Sequence, residues 1–121
     1  MSPRVLILDD DPGRHAQFDK MLPQASRFHT YTANQTIATL DESPAFDVVF
    51  LDHDLPKSAE LLNVSDPGTG LDVAVYIAKE LSLTKKPGLV WIHSHNPEGR
   101  QKMARTLRAA GIPTTVQSFR Y

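Results

Sequence analysis

Three short apolar runs constrain this chain more than any other feature: Val5-Leu6-Ile7-Leu8, Val48-Val49-Phe50-Leu51 and Leu89-Val90-Trp91-Ile92. Each is too short for a helix, and none alternates with polar residues, which is the pattern of a strand buried on both faces. Strands covered on both sides belong to a parallel sheet lying between helical layers. Each run also ends abruptly in polar residues. Asp9-Asp10-Asp11 follows the first, Asp52-His53-Asp54 the second, and His93-Ser94-His95-Asn96 the third.

The segments between the runs carry helix signals. Asp11 as N-cap with Pro12 at the first helical position starts a helix expected to reach about Leu22. Residues 28–31 read as a second strand, and Asn34 is expected to cap a short helix over 35–40, closed before Pro44. Residues 56–70 are polar and turn-rich, the longest irregular stretch, which either covers a site or is a tolerated insertion. Leu71, Val75 and Ala78, widened by Ala74, Ile77 and Leu81, predict a helix over 71–81. Asn96 and Pro97 predict another, running to about Ala110 and stopped by Gly111, and residues 114–119 read as a last strand. With 121 residues and neither repeat nor linker, the expectation is one α/β domain over 1–121. No apolar run approaches the roughly 18 residues of a membrane span, and no signal peptide is visible, so a cytoplasmic protein without membrane partners is expected.

Composition narrows the chemistry. The absence of cysteine excludes disulfides, Cys-ligated zinc or iron–sulfur sites and thiol nucleophiles. Formal net charge is −1, but ten of the fourteen acids are aspartates, the short carboxylates that favour caps, turns and metal sites. In open parallel sheets ligands bind beyond the carboxyl ends of the strands. If the three buried strands are neighbours, Asp9, Asp10, Asp52 and Asp54 converge there with His53, His93 and His95. Alternation places His93 with His95, and Asp52 with Asp54, on common sides while the chain stays extended, and sends His53 to the other side from Asp52. Adjacent carboxylates repel unless a cation intervenes, which suits a hard divalent metal such as Mg²⁺ or Mn²⁺; the imidazoles also admit Zn²⁺ or Fe²⁺. Histidine titrates near neutrality and suits acid–base work on a phosphate ester.

The helix start at Asn96 offers backbone N–H groups to a phosphate, with Arg100 in reach from the first turn. Lys102, Arg105 and Arg108 further along read as a solvated charged face. Asp11 reads as a cap and Asp72 as a first-turn acid. His15 and His29 read as ordinary surface or helix residues, Trp91 as core, and Ser94 faces away from the histidines, which argues against a serine nucleophile. The aromatic residues do not interleave with basic ones as a nucleic-acid surface would.

Val5-Leu6-Ile7-Leu8-Asp9-Asp10-Asp11-Pro12 resembles the first strand and acidic pair of response-regulator receiver domains. Residues 47–56 resemble their phosphoacceptor strand, with Asp52 at the phosphorylated position, and Gly70-Leu71-Asp72-Val73-Ala74 resembles the opening of their third helix. The resemblance implies a flavodoxin-like five-stranded parallel sheet of order 2-1-3-4-5. Four departures stand out. His93 replaces the switch Ser or Thr, and Gln117 and Ser118 stand where a lysine belongs. The loop after the third strand is enlarged, and the final helix is missing. Leu51-Asp52-His53-Asp54-Leu55, Thr69-Gly70-Leu71-Asp72-Val73-Ala74 and His93-Ser94-His95-Asn96-Pro97 followed by Met103 together resemble the cyclic-phosphate-processing receiver family.

That resemblance implies a metal held by Asp10 and Asp52 with Asp9 and Asp54 in support, and a phosphate bound or protonated by His53, His93 and His95. The implied substrate is a small phosphate ester, a cyclic nucleotide or an RNA end bearing a 2′,3′-cyclic phosphate. The alternatives are an atypical receiver phosphorylated on Asp52, and a non-catalytic module that only holds a metal or ligand.

Overall fold

The apolar runs lie side by side at the centre of one parallel sheet. The computed structural model of the chain describes residues 2–118, in the order β1 (Arg4–Leu8), α1 (Pro12–Met21), β2 (Ser26–Thr30), α2 (Ala33–Glu42), β3 (Val48–Leu51), α3 (Pro56–Leu61), α4 (Gly70–Lys79), β4 (Leu89–Ile92), α5 (Pro97–Ala109) and β5 (Thr114–Val116). The strand order is β2-β1-β3-β4-β5, all parallel, as expected. Among the described residues no helix follows β5, and none is long and apolar enough to cross a membrane.

Alternation along the strands divides the core in two. Leu6, Leu8, Val49, Leu51, Val90 and Ile92 turn to the face covered by α2, α4 and α5, where Leu40, Val73, Ile77, Met103 and Leu107 meet them. Val5, Ile7 and Phe50 turn to the other face, against Phe18 of α1. Phe18 is fully buried, which stabilises the fold by about 2–3 kcal/mol relative to an exposed ring. Trp91 is half-buried on this side, stacked 5.7 Å from Phe50 and donating its indole N–H to the Gln117 carbonyl. The core expected for it is thus only partly closed.

The helix starts follow local chemistry. Asp11 accepts a hydrogen bond from the Gly13 N–H and Asn96 from the Gly99 N–H, each with proline next in sequence. At α2 the cap is Thr32, whose hydroxyl accepts from the Gln35 N–H, so the helix begins one residue before Asn34. The second strand occupies 26–30 because the Tyr31 N–H is already turned to the Gln35 side chain. Residues 56–61, expected to be irregular, form the single short helix α3. β5 ends at Val116, although the Gln117 N–H still bonds the Ile92 carbonyl; Phe119, the expected end of that strand, lies outside the described residues. Gly70 is required where α4 meets the end of β3, since a Cβ there would lie 1.9 Å from the Asp52 carbonyl oxygen.

Candidate active site

Register alone assembles the acidic cluster. Leu8 pairs with Leu51 and Leu51 with Ile92, so the next residues, Asp9, Asp52 and His93, stand in a row across the sheet edge. The ladder extends into that row: the Asp52 N–H donates to the Leu8 carbonyl and the His93 N–H to the Leu51 carbonyl. Asp9, Asp10 and Asp52 each offer a carboxylate oxygen within 4.8 Å of the others, and all three residues are buried. Burial and the neighbouring charge of Asp9 push the Asp52 carboxyl up to about 7, against the pull of the His53 N–H and Arg14.

Two cations from outside the strand ends answer this charge. Arg14, on the first turn of α1, places its Nε 2.8 Å from Asp9 Oδ2, with its terminal nitrogens 3.2 Å from Asp10, 3.4 Å from Asp11 and 3.4 Å from Asp52. Burial opposes the guanidinium charge, but the hydrogen bond to Asp9 and the surrounding carboxylates hold Arg14 firmly protonated. Lys57, at the start of α3, donates its backbone N–H to Asp10 Oδ2 at 2.8 Å and its Nζ to Asp11 Oδ2 at 3.1 Å. The Gly13 N–H, then Lys57, lower the Asp11 carboxyl below the usual range, in keeping with a permanently charged helix cap. Neither Arg14 nor Lys57 carries a sequence motif, though Arg14 falls three and four residues after Asp11 and Asp10, the spacing of helix neighbours. The first residues of the 56–70 segment therefore belong to the site.

The cluster opens into a cleft of about 470 Å³ lined by Asp10, Arg14, Asp52, Asp54, Lys57 and His95, among others. The remaining expected residues separate. His93 is buried and does not line the cleft. It sits against the Phe18 ring with Nδ1 3.7 Å from Asp9 Oδ2, and burial pushes its imidazole down to about 4, a neutral ring at physiological pH. His95 is exposed on the cleft wall. The two part company because strand pairing stops at Ile92 and the chain turns, with the Asn96 N–H donating back to Ser94 Oγ. Ser94 is buried and lines the cleft, but its Oγ is engaged in that turn.

Asp54 is exposed and outside the carboxylate triad; it accepts from Asn96 Nδ2 at 3.2 Å and lies 2.8 Å from His53 Nδ1. The His53 ring is laid over Gly99, where a Cβ would come within 2.6 Å of it, and it lines an adjoining hollow with Thr69 and Lys102. Asn96 lines both hollows, and its cap occupies the Gly99 N–H otherwise offered to a phosphate. Arg100 lies beyond Ser94, its terminal nitrogen 3.5 Å from the Ser94 carbonyl.

His15, expected on the surface or a helix, lies on α1 but is buried, with Nε2 2.9 Å from the Asp9 carbonyl and Nδ1 2.5 Å from His29 Nδ1, while His29 Nε2 meets Asp19 at 2.8 Å. The Asp9 backbone is thus braced from the α1 side.

The chain matches the cyclic-phosphate processing Receiver domain over residues 4–109. It belongs to that family. No curated protein matches the chain in sequence. Among solved structures, a signal receiver domain of a LuxO repressor protein from Vibrio parahaemolyticus is 20% identical, covering 99% of this chain and 82% of that one with a TM-score of 0.68. A CheY-like receiver domain from Methylobacillus flagellatus is 17% identical over 97% and 86% of the two chains, TM-score 0.69. The receiver domain of a Pseudomonas aeruginosa sensor histidine kinase is 14% identical over 100% and 88%, TM-score 0.69; that structure holds a magnesium ion in its active-site cleft.

In this cyclic-phosphate processing receiver the donor set fits a divalent cation. Three buried carboxylates from two adjacent strand ends supply hard oxygen ligands, and burial, then the charge of Asp9, holds the Asp52 carboxyl above the usual range, a cost that a cation among them would relieve. Asp54 and the histidines stand outside that set.

Proposed function

We propose that this receiver domain is a phosphoesterase-like enzyme that opens a cyclic phosphate ester of a nucleotide or an RNA end, with magnesium or manganese held by Asp9, Asp10 and Asp52. The observation that carries the reading is one cleft in which buried carboxylates, two cationic side chains and an exposed histidine meet. Its volume of about 470 Å³ suits a nucleotide-sized ligand. When bound, the divalent cation supplies positive charge against the phosphoryl oxygens and acidifies water.

The protein's own groups perform the rest. Lys57 and Arg14 balance the charge of the incoming phosphate. Asp54, in the same cleft but outside the triad, takes the proton of the attacking water. The water oxygen bonds to phosphorus, one phosphorus–oxygen bond of the ring breaks, and the departing sugar oxygen takes its proton from His95. His93 and His53 are positioning residues: His93 stands beneath Asp9, and His53 holds Asp54 and Asn96 against α5.

The test is ring opening of 2′,3′- and 3′,5′-cyclic mononucleotides with Mg²⁺ or Mn²⁺, followed by phosphorus NMR. Turnover should fall about 100-fold or more in His95→Ala and in Asp10→Asn while thermal unfolding stays cooperative. An unchanged rate in His95→Ala sinks the mechanism. Metal binding without turnover of any cyclic phosphate favours a ligand-holding module instead.

The place of Asp52 at the end of β3, on the cleft of a receiver fold, favours a second reading, phosphorylation of that carboxylate. Acetyl phosphate with Mg²⁺ would then add one phosphoryl group by mass, lost in Asp52→Ala. Absence of the adduct dismisses it.

A further inference from the structure

Charge on α5 is distributed unevenly. Arg100, Arg105 and Arg108 line one hollow of about 720 Å³, closed on its other side by Val116, Gln117 and Ser118. Among the described residues no acidic side chain lines it, and the acid nearest in sequence, Glu98, is paired with Lys102 at 3.1 Å. Where these arginines bond, they bond to neutral carbonyls: Arg108 to Thr114 at 3.2 Å and Arg100 to Ser94 at 3.5 Å. Hydrogen bonds of that kind orient a guanidinium without cancelling its charge. The three cations extend over eight residues of helix, roughly 12 Å of rise, more than one phosphate group can engage.

The hollow also meets the acidic cleft. Ser94 lines the cleft, and its carbonyl accepts from both Arg100 and, at 3.4 Å, the Ser118 hydroxyl, two side chains of the basic hollow. A single residue separates the two.

We propose that the Arg100–Arg105–Arg108 groove is a polyanion subsite for the phosphodiester backbone of a single-stranded oligonucleotide, whose end enters the acidic cleft. This rests on the cyclic-phosphate reading for the orientation of the ligand and extends it to the substrate class: a strand, not a free mononucleotide. Guanidinium forks match phosphate oxygens, and a cationic groove along one helix follows a single backbone. The whole chain has a formal net charge of −1, so a diffuse basic field does not account for strand binding, which calls for a local cationic surface such as this groove.

The test uses the full chain and a 5′-labelled single-stranded oligoribonucleotide ending in a 3′-hydroxyl, read by fluorescence anisotropy across a salt series. Three phosphate contacts give a slope of log affinity on log salt of about −2, and Arg105→Gln with Arg108→Gln should weaken binding about tenfold or more and bring the slope to about −0.7. A thermal melt confirms that the double variant is folded. Because the strand carries no cyclic phosphate, this assay reads the groove alone, whereas ring opening of mononucleotides reads the cleft alone. Strand binding without ring opening, either of mononucleotides or of a strand ending in a 2′,3′-cyclic phosphate, supports the groove and defeats the cleft chemistry. Equal affinity of wild type and double variant overturns the groove, whatever the cleft does. Displacement of the strand by polyglutamate at equal charge also overturns it, in favour of an acidic protein partner.

Discussion

Replacing Asp52 with asparagine should stabilise the cation-free protein, and only at neutral and alkaline pH. In the unfolded chain this carboxyl titrates at about 3.8, and in the fold burial and Asp9 raise it to about 7. Between those values the folded state binds the extra proton. Stability attributable to Asp52 is therefore fully present below about 3.8 and is lost as pH rises through about 7. Three units correspond to about 4 kcal/mol as an upper bound. Asparagine gives up the 3.4 Å contact with Arg14 but can still accept from the His53 N–H, and Arg14 keeps Asp9, Asp10 and Asp11. The expected net gain is then about 1–2 kcal/mol at a pH of about 8, falling to about zero at a pH of about 4. Urea unfolding in the presence of a chelator measures both. A second arm adds magnesium at about 100 times its dissociation constant, which should stabilise the wild type by about 2.7 kcal/mol and the variant far less. A gain independent of pH, or a loss at the higher pH, refutes the charge argument. Equal magnesium stabilisation of both proteins removes Asp52 from the ligand set.

His93 carries the opposite sign. Its imidazole is held at about 4 against an ordinary 6.5, so the unfolded chain binds more protons in that window and stability declines as pH falls through it, by up to about 3 kcal/mol. Unfolding free energy plotted against pH should be flatter there in His93→Gln; equal slopes contradict a buried neutral ring. Gly70→Ala drives a Cβ into the Asp52 carbonyl and should cost about 3 kcal/mol or more, seen as a large drop in melting temperature; an unshifted melt rejects the close approach. Gly99→Ala puts a Cβ within 2.6 Å of the His53 ring and should displace it from Asp54, read as shifted His53 imidazole resonances with a stability loss of about 1 kcal/mol. Unmoved resonances place the ring elsewhere.

The parts legible in the sequence are those decided within a few residues. Unalternating apolar runs specify buried strands, and Asp11-Pro12 and Asn96-Pro97 specify helix starts whose cap bonds are local. α3 escaped because six residues carry no period and its cap residue, Leu55, makes no side-chain bond. Thr32 prevailed over Asn34 because two capping residues compete within three positions, and the choice also depends on the long-range bond from the Ala33 N–H to the Pro67 carbonyl. At the site, Asp9, Asp10 and Asp52 were readable from strand ends. The reach of Lys57 to Asp10 and Asp11, the His15–His29 contact and the burial of His93 depend on residues distant in sequence coming together. Adjacency of the apolar strands brings Asp52 and His93 side by side, but strand alternation could not follow the chain past the last ladder bond to Asp54 and His95.

That last ladder bond has a consequence for how the site moves. The amides of Asp9, Asp52 and His93 all donate to carbonyls of adjacent strands, at 3.3, 3.1 and 3.0 Å. These should be among the slowest backbone positions to exchange with deuterated water, opening only when the sheet itself opens. The amide of Lys57, tied to a side chain at the start of a short helix, should exchange much sooner. A ligand arriving here meets a floor that does not adapt to it and a rim that does, so selection among phosphate esters falls to the rim.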